Sequence, residues 1–215
     1  MAFGGTTQPH PVQFQGSRLA RGLLACCGWR VWFEGLPAKQ GVLVVYPHTS
    51  NWDFLVMVLA KAAVGVPLRF WGKDKLFGLP LFGRWLRWIG GVPVQRTAPG
   101  GAVGQMVHQM RQAQATDRLF WLGLSPEGTR KHIPGWRSGF YQTALQANVP
   151  LGLVTLDYRL REVRALTFIR LTGDPQADFD AIAQAYAGVT AYIPAQAAPI
   201  RLLDGTVPRT ETIVK

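Results

Sequence analysis

The sequence predicts an α/β fold, a single domain with a central mixed, mostly parallel sheet flanked by helices. Short β-branched runs alternate with a longer helical pattern, as in "GVLVVY" from Gly41, then "SNWDFLVMVLAKAAV" and "VPLRFWGK". The 215 residues suffice for one hydrophobic core, and neither a composition shift nor an internal repeat marks a second domain. We expect a flexible N-terminus over residues 1–16, a folded domain over 17–200 and a C-terminal tail over 201–215.

Other elements surround this first strand–helix–strand unit. Residues 17–33 are predicted to form a short helix with arginines near both ends, which suits either core packing or the plane of a membrane interface. "VPVQR" is a short strand, and a helix follows near residues 101–116. The apolar strand "RLFWLGL" then precedes the polar loop "SPEGTR". This strand-then-loop order repeats that of "GVLVVY", and ligands in open α/β sheets bind beyond the carboxyl ends of strands, so both loops could meet at one sheet edge.

The last third of the chain continues the alternation. "GFYQTALQANV" is predicted to be a helix, "PLGLVTLDY" and "VRALTFIRLTG" are predicted to be paired strands, and "DFDAIAQAYAG" another helix. The pattern assigns no element after Ala197.

Composition and charge narrow the class of partner. Apolar residues make up 48% of the chain and charged residues 16%, so some apolar surface is expected to stay exposed. The formal charge of +11 favours an anionic partner, which could be lipid headgroups, nucleic acid or an acidic protein. Adjacent Cys26 and Cys27 do not suit disulfide geometry and indicate a reducing compartment.

No targeting or membrane-spanning segment is recognisable. The N-terminus lacks the basic start and apolar run of a signal peptide. The best candidate for a span, "LARGLLACCGWRVWF" from Leu19, is interrupted by Arg21 and Arg30.

A histidine and an aspartate follow the strand "GVLVVY". Residues five apart on a helix point about 140° away from each other, so His48 and Asp53 can meet only if His48 precedes a helix starting near Ser50. Two interpretations are open. Asp53 could complete a capping box with Ser50, or it could accept a hydrogen bond from one imidazole nitrogen and leave the other free to take a proton.

The loop "SPEGTR", residues 125–130, offers groups that suit a phosphate monoester. These are backbone N–H groups near Gly128, the Thr129 hydroxyl and the Arg130 guanidinium, with Arg96 of "GGVPVQR" as a second cation. An ordinary turn with surface arginines is the alternative interpretation.

Several other sites are excluded. "GLSPEG" is not a serine-hydrolase elbow, because Glu127 stands where that motif requires glycine. "PGGAVGQ" lacks the Gly-Lys-Ser/Thr of a phosphate-binding P-loop. The histidines show no metal-ligand spacing, so no metal site is expected.

The ordered blocks resemble the glycerolipid acyltransferase superfamily, whose best known members are bacterial 1-acylglycerol-3-phosphate acyltransferases. They are "PHTSNWDF", "GGVPVQR", "SPEGTR" and "NVPLGL", and "GWRSGFYQTA" and "LDY" bring the chain nearest to a short bacterial branch. The resemblance covers about residues 40–175. Gln95 and Leu153 depart from it, where many members have an acid and a proline.

The resemblance implies an enzyme that moves a fatty acyl group from acyl-CoA or acyl carrier protein to the hydroxyl of a lysophospholipid. His48 would be the general base and Asp53 its orienting partner, and no cofactor is expected beyond the thioester co-substrate. The acceptor's phosphate would be bound by the following residues: Arg96, Glu127, Gly128, Thr129 and Arg130. Lys73 matches a lysine common in the family and is a possible further site residue.

Both substrates carry fatty chains, so the enzyme is expected to work at a bilayer, peripherally on the cytoplasmic face of the inner membrane. "LRFWGKDKLFGLPLFGRWLRW" combines cations with Trp and Phe, and Arg84, Trp85, Arg87 and Trp88 are the candidate interface residues, unless the aromatics are core. Transacylation between phospholipids, or acylation of a lysolipid without phosphate, is the alternative. Nucleic-acid binding is a more remote alternative, because that function would leave the ordered sequence blocks unexplained. We therefore expect no nucleic-acid partner.

Overall fold

The computed structural model describes residues 10–72, 74–93 and 101–203. The strands are β1 Arg30–Phe33, β2 Gln40–Tyr46, β3 Arg69–Gly72, β4 Gly91–Pro93, β5 Phe120–Leu124, β6 Leu151–Asp157 and β7 Glu162–Ile169. The helices are α1 Arg18–Cys26, α2 Asn51–Val64, α3 Asp74–Phe77, α4 Pro80–Trp88, α5 Gly101–Ala115, α6 Gly139–Ala147 and α7 Pro175–Ala185, with a 3-10 turn at Pro194–Gln196.

The strands form one sheet in the order β1-β7-β6-β2-β5-β3-β4. All neighbouring pairs are parallel except β6 and β7, which are antiparallel. This confirms the predicted α/β domain with a mixed, mostly parallel sheet.

Helices cover both faces of the sheet, because side chains alternate between the faces along a strand. Val42 and Val44 of β2 belong to a buried cluster with residues of α5, α6 and α7. Leu43, between them, belongs to a second cluster with residues of α1 and α2. The site residues that follow β2 are therefore held by a strand that is buried on both sides.

The N-terminal region differs from its prediction. The helix predicted over 17–33 ends at Cys26, and Arg30–Phe33 instead forms β1. Gly28 has φ of 75°, a left-handed conformation that favours glycine and turns the chain out of the helix. β1 then pairs with β7, a partner that is distant in sequence.

The structure describes only part of the two terminal segments predicted over residues 1–16 and 201–215. Residues 1–9 and 204–215 lie outside the described residues. In the supposedly flexible segment, residues 10–16 are packed: His10 N donates to Glu34 O at 2.9 Å, and a Cβ on Gly16 would lie 1.9 Å from Ala63 O. In the described part of the chain, no helix is both long and apolar enough to cross a membrane.

Candidate active site

The loops after β2 and β5 meet at one edge of the sheet, as predicted. β2 pairs in parallel with β5, with Val44 opposite Leu124, so both strands end at the same edge. The contact between the loops is direct, because the backbone N–H of His48 donates to Glu127 Oε2 at 2.7 Å.

His48 and Asp53 lie close enough to interact. His48 is in the loop before α2, and its Nδ1 lies 3.2 Å from Asp53 Oδ2. The same carboxylate oxygen accepts the backbone N–H of Thr49 at 2.6 Å and of Ser50 at 2.7 Å. Ser50 is the N-cap of α2 and forms a capping box with Asp53. Both interactions expected from the His48–Asp53 spacing therefore occur at once, because one carboxylate caps the helix and also contacts the imidazole.

This contact determines which imidazole nitrogen is available. The Asp53 side chain is 1% exposed and that of His48 is 21% exposed. Burial raises the pKa of Asp53, but hydrogen bonds from His48, Tyr158 and Ser50 outweigh it, so the pKa is held below its usual value. A charged Asp53 favours a proton on His48 Nδ1, which leaves Nε2, on the other side of the ring, as the basic nitrogen.

Glu127 occupies a different place from the one predicted for it in the phosphate site. Its side chain is buried; Oε2 accepts His48 N, and Oε1 accepts Ala198 N at 3.1 Å. Burial raises its pKa to about 7, although these hydrogen bonds oppose the shift. Both oxygens of this buried side chain already accept backbone hydrogen bonds, so it does not face the surface where a phosphate would bind. Glu127 instead holds the "SPEGTR" loop against the His48 loop.

The end of that loop, residues 128–130, reaches the protein surface. Gly128 has φ of 63° and is exposed, as is Arg130. Arg137 lies beside it, since a Cβ on Gly128 would come within 2.9 Å of Arg137 Nε. Among the ion pairs of the described residues, no carboxylate pairs with either guanidinium. Two arginines are thus available to an anion next to the loop.

Two predicted site residues, Lys73 and Arg96, lie outside the described residues. The segment just before residue 200 was not assigned from sequence, yet it joins both site loops. Ile193 N donates to Thr49 Oγ1 at 3.1 Å. The side chain of Gln196, oriented with its amide nitrogen toward the backbone carbonyls of Thr49 and Arg130, donates a hydrogen bond to each.

An exposed apolar surface lies next to the site. Leu81 and Trp88 are each 82% exposed on α4, and their spacing of seven residues puts them on one face. On the same helix Trp85 is 38% exposed and packs on Phe54 of α2, with ring centroids 6.2 Å apart. Trp52, in the first turn of α2, is 58% exposed. The α4 surface therefore continues to the helix that begins at the site.

The predicted interface residues Arg84, Trp85, Arg87 and Trp88 are all exposed. The Arg87 guanidinium lies 5.5 Å from the centroid of the Phe77 ring. Cations thus flank the apolar ridge of α4, an arrangement that suits an anionic lipid surface.

Two residues near the site were not predicted from the sequence. Tyr158 donates from its hydroxyl to Asp53 Oδ1 at 2.6 Å, and Arg137 lies beside Gly128. Both fall in stretches, "LDY" and "GWRSGFYQTA", that carry the resemblance, but neither stretch indicated a role. Tyr158 also follows β6, which runs parallel to β2, and that topology was the signal available for it.

Comparisons with known proteins assign this chain to a protein family. A family model described as Acyltransferase matches residues 30–155, more than half of the chain. No curated protein sequence matches the chain. The solved 1-acyl-sn-glycerophosphate (LPA) acyltransferase PlsC from Thermotoga maritima is similar at 15% identity and a TM-score of 0.49, over 80% of this chain and 78% of that chain. The matched residues run from β1 into β6 and include both site loops, so the chain belongs to the acyltransferase family.

Proposed function

We propose that this acyltransferase moves a fatty acyl group from an acyl thioester, carried by coenzyme A or acyl carrier protein, to the hydroxyl of a lysophospholipid such as 1-acylglycerol-3-phosphate. The observation that carries the proposal is the partly exposed imidazole of His48, which contacts the buried Asp53 through Nδ1. It lies beside a loop with the exposed side chain of Arg130.

The chemistry follows from the basic Nε2 of His48. A lysolipid hydroxyl attacks a thioester effectively only if a base removes its proton, and an imidazole suits this role near neutral pH. The hydroxyl oxygen bonds to the thioester carbonyl carbon while Nε2 takes the proton. The resulting tetrahedral intermediate collapses, the carbon–sulfur bond breaks, and the imidazolium returns the proton to the departing sulfur. The products are the acylated lipid and a free thiol, and no acyl-enzyme is needed.

The phosphate of the acceptor would be bound by the outward part of the "SPEGTR" loop. Gly128, Thr129 and Arg130 retain this role in the proposal, and Arg137 joins them because its guanidinium lies next to Gly128. Arginine forks bind phosphate oxygens through paired, charge-assisted hydrogen bonds. Glu127 is a positioning residue in this account, not a phosphate ligand.

Replacing Arg130 with alanine is expected to raise KM for lysophosphatidic acid about tenfold or more, since it removes charge-assisted hydrogen bonds to the phosphate. KM for a lysolipid without phosphate should stay within about twofold. Initial rates with both acceptors check this. Arg118→Ala is the matched control, because Arg118 precedes β5 at the opposite end of that strand. Equal effects on both acceptors would contradict the phosphate assignment.

We further propose that the protein works peripherally at the cytoplasmic face of the inner membrane. Support comes from the cation-flanked ridge of Leu81 and Trp88 and from the packing of Trp85, on the same helix, against Phe54 of α2. Docking through α4 would bring the His48 loop to the lipid surface, where the lysolipid acceptor resides.

The double variant Leu81→Ser, Trp88→Ser is expected to bind anionic phospholipid liposomes about tenfold more weakly or worse, because two large apolar side chains no longer enter the headgroup region. Liposome co-sedimentation measures this. Trp32→Ser is the control, since Trp32 is 45% exposed on β1, at the other edge of the sheet from β4. Wild-type binding by the double variant would refute docking through α4.

A further inference from the structure

Tyr158 reaches the His48–Asp53 pair from a distant part of the chain. It follows β6, and its hydroxyl donates to Asp53 Oδ1 at 2.6 Å across 105 residues of sequence. Its backbone N–H donates to Thr190 O at 2.9 Å. The ring packs edge-on against Trp29, with centroids 4.9 Å apart, and lies tilted against Tyr192, with centroids 5.0 Å apart. The phenol is therefore held in place by the fold.

The hydrogen bonds to Asp53 divide between its two oxygens. Oδ2 accepts the N–H groups of Thr49 and Ser50 and faces His48 Nδ1, whereas Oδ1 accepts the Tyr158 hydroxyl. Within the described ranges Oδ1 accepts no other hydrogen bond. Removing the phenol oxygen would leave a buried carboxylate oxygen without a donor, which is costly. The carboxylate could then reduce this cost by rotating about its Cβ–Cγ bond, away from the orientation that faces the imidazole.

We propose that Tyr158 is a positioning residue for acyl transfer: it fixes the Asp53 carboxylate so that Oδ2 receives the Nδ1–H of His48. The inference rests on the proposed function, because it assigns to His48 the role of base. Tyr158 acts through Asp53 and has no contact with substrate in this account.

The protonation of Tyr158 agrees with this role. Burial and the hydrogen bond to Asp53 raise the pKa of the phenol far above its usual value. The hydroxyl therefore keeps its proton and remains a donor throughout the neutral range. Its contact with the charged carboxylate is a charge-assisted hydrogen bond, the stronger kind.

Tyr158→Phe tests the proposal, with Tyr192→Phe as the matched control. Each change removes one phenol oxygen from neighbouring rings, but only Tyr158 bonds to Asp53. We expect kcat to fall about tenfold in Tyr158→Phe, with KM for both substrates within about twofold. Its melting temperature should lie below that of the control variant, because Asp53 Oδ1 loses its donor. Tyr192→Phe should keep kcat within about twofold of the wild type.

Nitrogen-15 NMR of His48 reports which imidazole nitrogen carries the proton. A loss of stability alone would not change this tautomer. The wild type is expected to carry its proton on Nδ1, and Tyr158→Phe to populate both tautomers. The wild type should also show a slowly exchanging hydroxyl proton on Tyr158, a measurement that needs no variant.

Wild-type kcat in Tyr158→Phe, an unchanged His48 tautomer, or a rapidly exchanging Tyr158 hydroxyl proton would each overturn the proposal. Failure of the proposed function gives a different result: His48→Ala would keep its activity, while the NMR readout would still report whether Tyr158 controls His48 through Asp53.

Discussion

Replacing His48 with alanine is expected to abolish acyl transfer and to leave the protein folded. The change removes the only group placed to take the hydroxyl proton in the proposed mechanism, and general bases typically contribute about 10²- to 10⁴-fold. Stability should change little, because the contact with Glu127 uses the backbone N–H of His48. Asp53 also keeps the donors Thr49 N, Ser50 N and Tyr158 Oη.

The measurement is the initial rate of acylated product together with the thermal unfolding midpoint. His108→Ala is the control, since His108 is an exposed histidine on α5. It should retain both wild-type rate and midpoint. If the His48 variant kept near wild-type turnover, the base would have to be another residue.

Two substitutions at Asp53 are expected to separate its capping and orienting roles. Asp53→Asn keeps an oxygen that can accept Thr49 N and Ser50 N, but it lacks the charge that favours the Nδ1–H tautomer of His48. Asp53→Ala loses both roles and leaves two buried N–H groups unpaired. Both variants should lose roughly 10²- to 10⁴-fold in kcat. Unfolding free energy should fall by roughly 2–4 kcal/mol in Asp53→Ala and by about 1 kcal/mol in Asp53→Asn.

The stability difference between wild type and Asp53→Ala should depend on pH. The folded-state pKa of Asp53 lies below its usual value of about 3.9, so its charged form stabilises the fold fully above that pH. The stabilisation should be lost as pH falls below about 3.9 and through the lowered pKa. Denaturant unfolding at neutral and acidic pH checks this.

Equal kcat losses in Asp53→Asn and Asp53→Ala, with no difference in stability between these two variants, would argue against the capping role of Asp53.

The contact between His48 and Asp53 could be predicted because its geometry is local. Ser50 begins α2, and the reach from a capping position to the preceding loop is set by a few residues. Tyr158 could not be assigned a role in the same way, because it meets Asp53 only through the parallel pairing of β2 and β6.

Glu127 shows the limit of a motif. Its position in "SPEGTR" predicts a loop near the site, but not the direction of its carboxylate. That direction depends on Ala198, which belongs to a segment without a recognisable pattern, and on the backbone of His48.

The fold was predictable where strands have an apolar, β-branched sequence of their own. β2 is such a strand, and it lies at the centre of the sheet. β1 has no such recognisable strand sequence, because Arg30–Phe33 also continues the apolar pattern of α1. This segment becomes a strand only by pairing with β7. Sheet order depends on such distant pairings, and local patterning does not contain them.

The most direct test of the account is to follow both products of one reaction. Purified protein, an acyl thioester and lysophosphatidic acid in liposomes should yield phosphatidic acid and free thiol in equal amounts and at equal rates. Thiol release without acylated lipid would show a thioesterase. No reaction with coenzyme A or carrier-protein thioesters, but transfer from a phospholipid, would show a transacylase, and either result would contradict the proposed reaction.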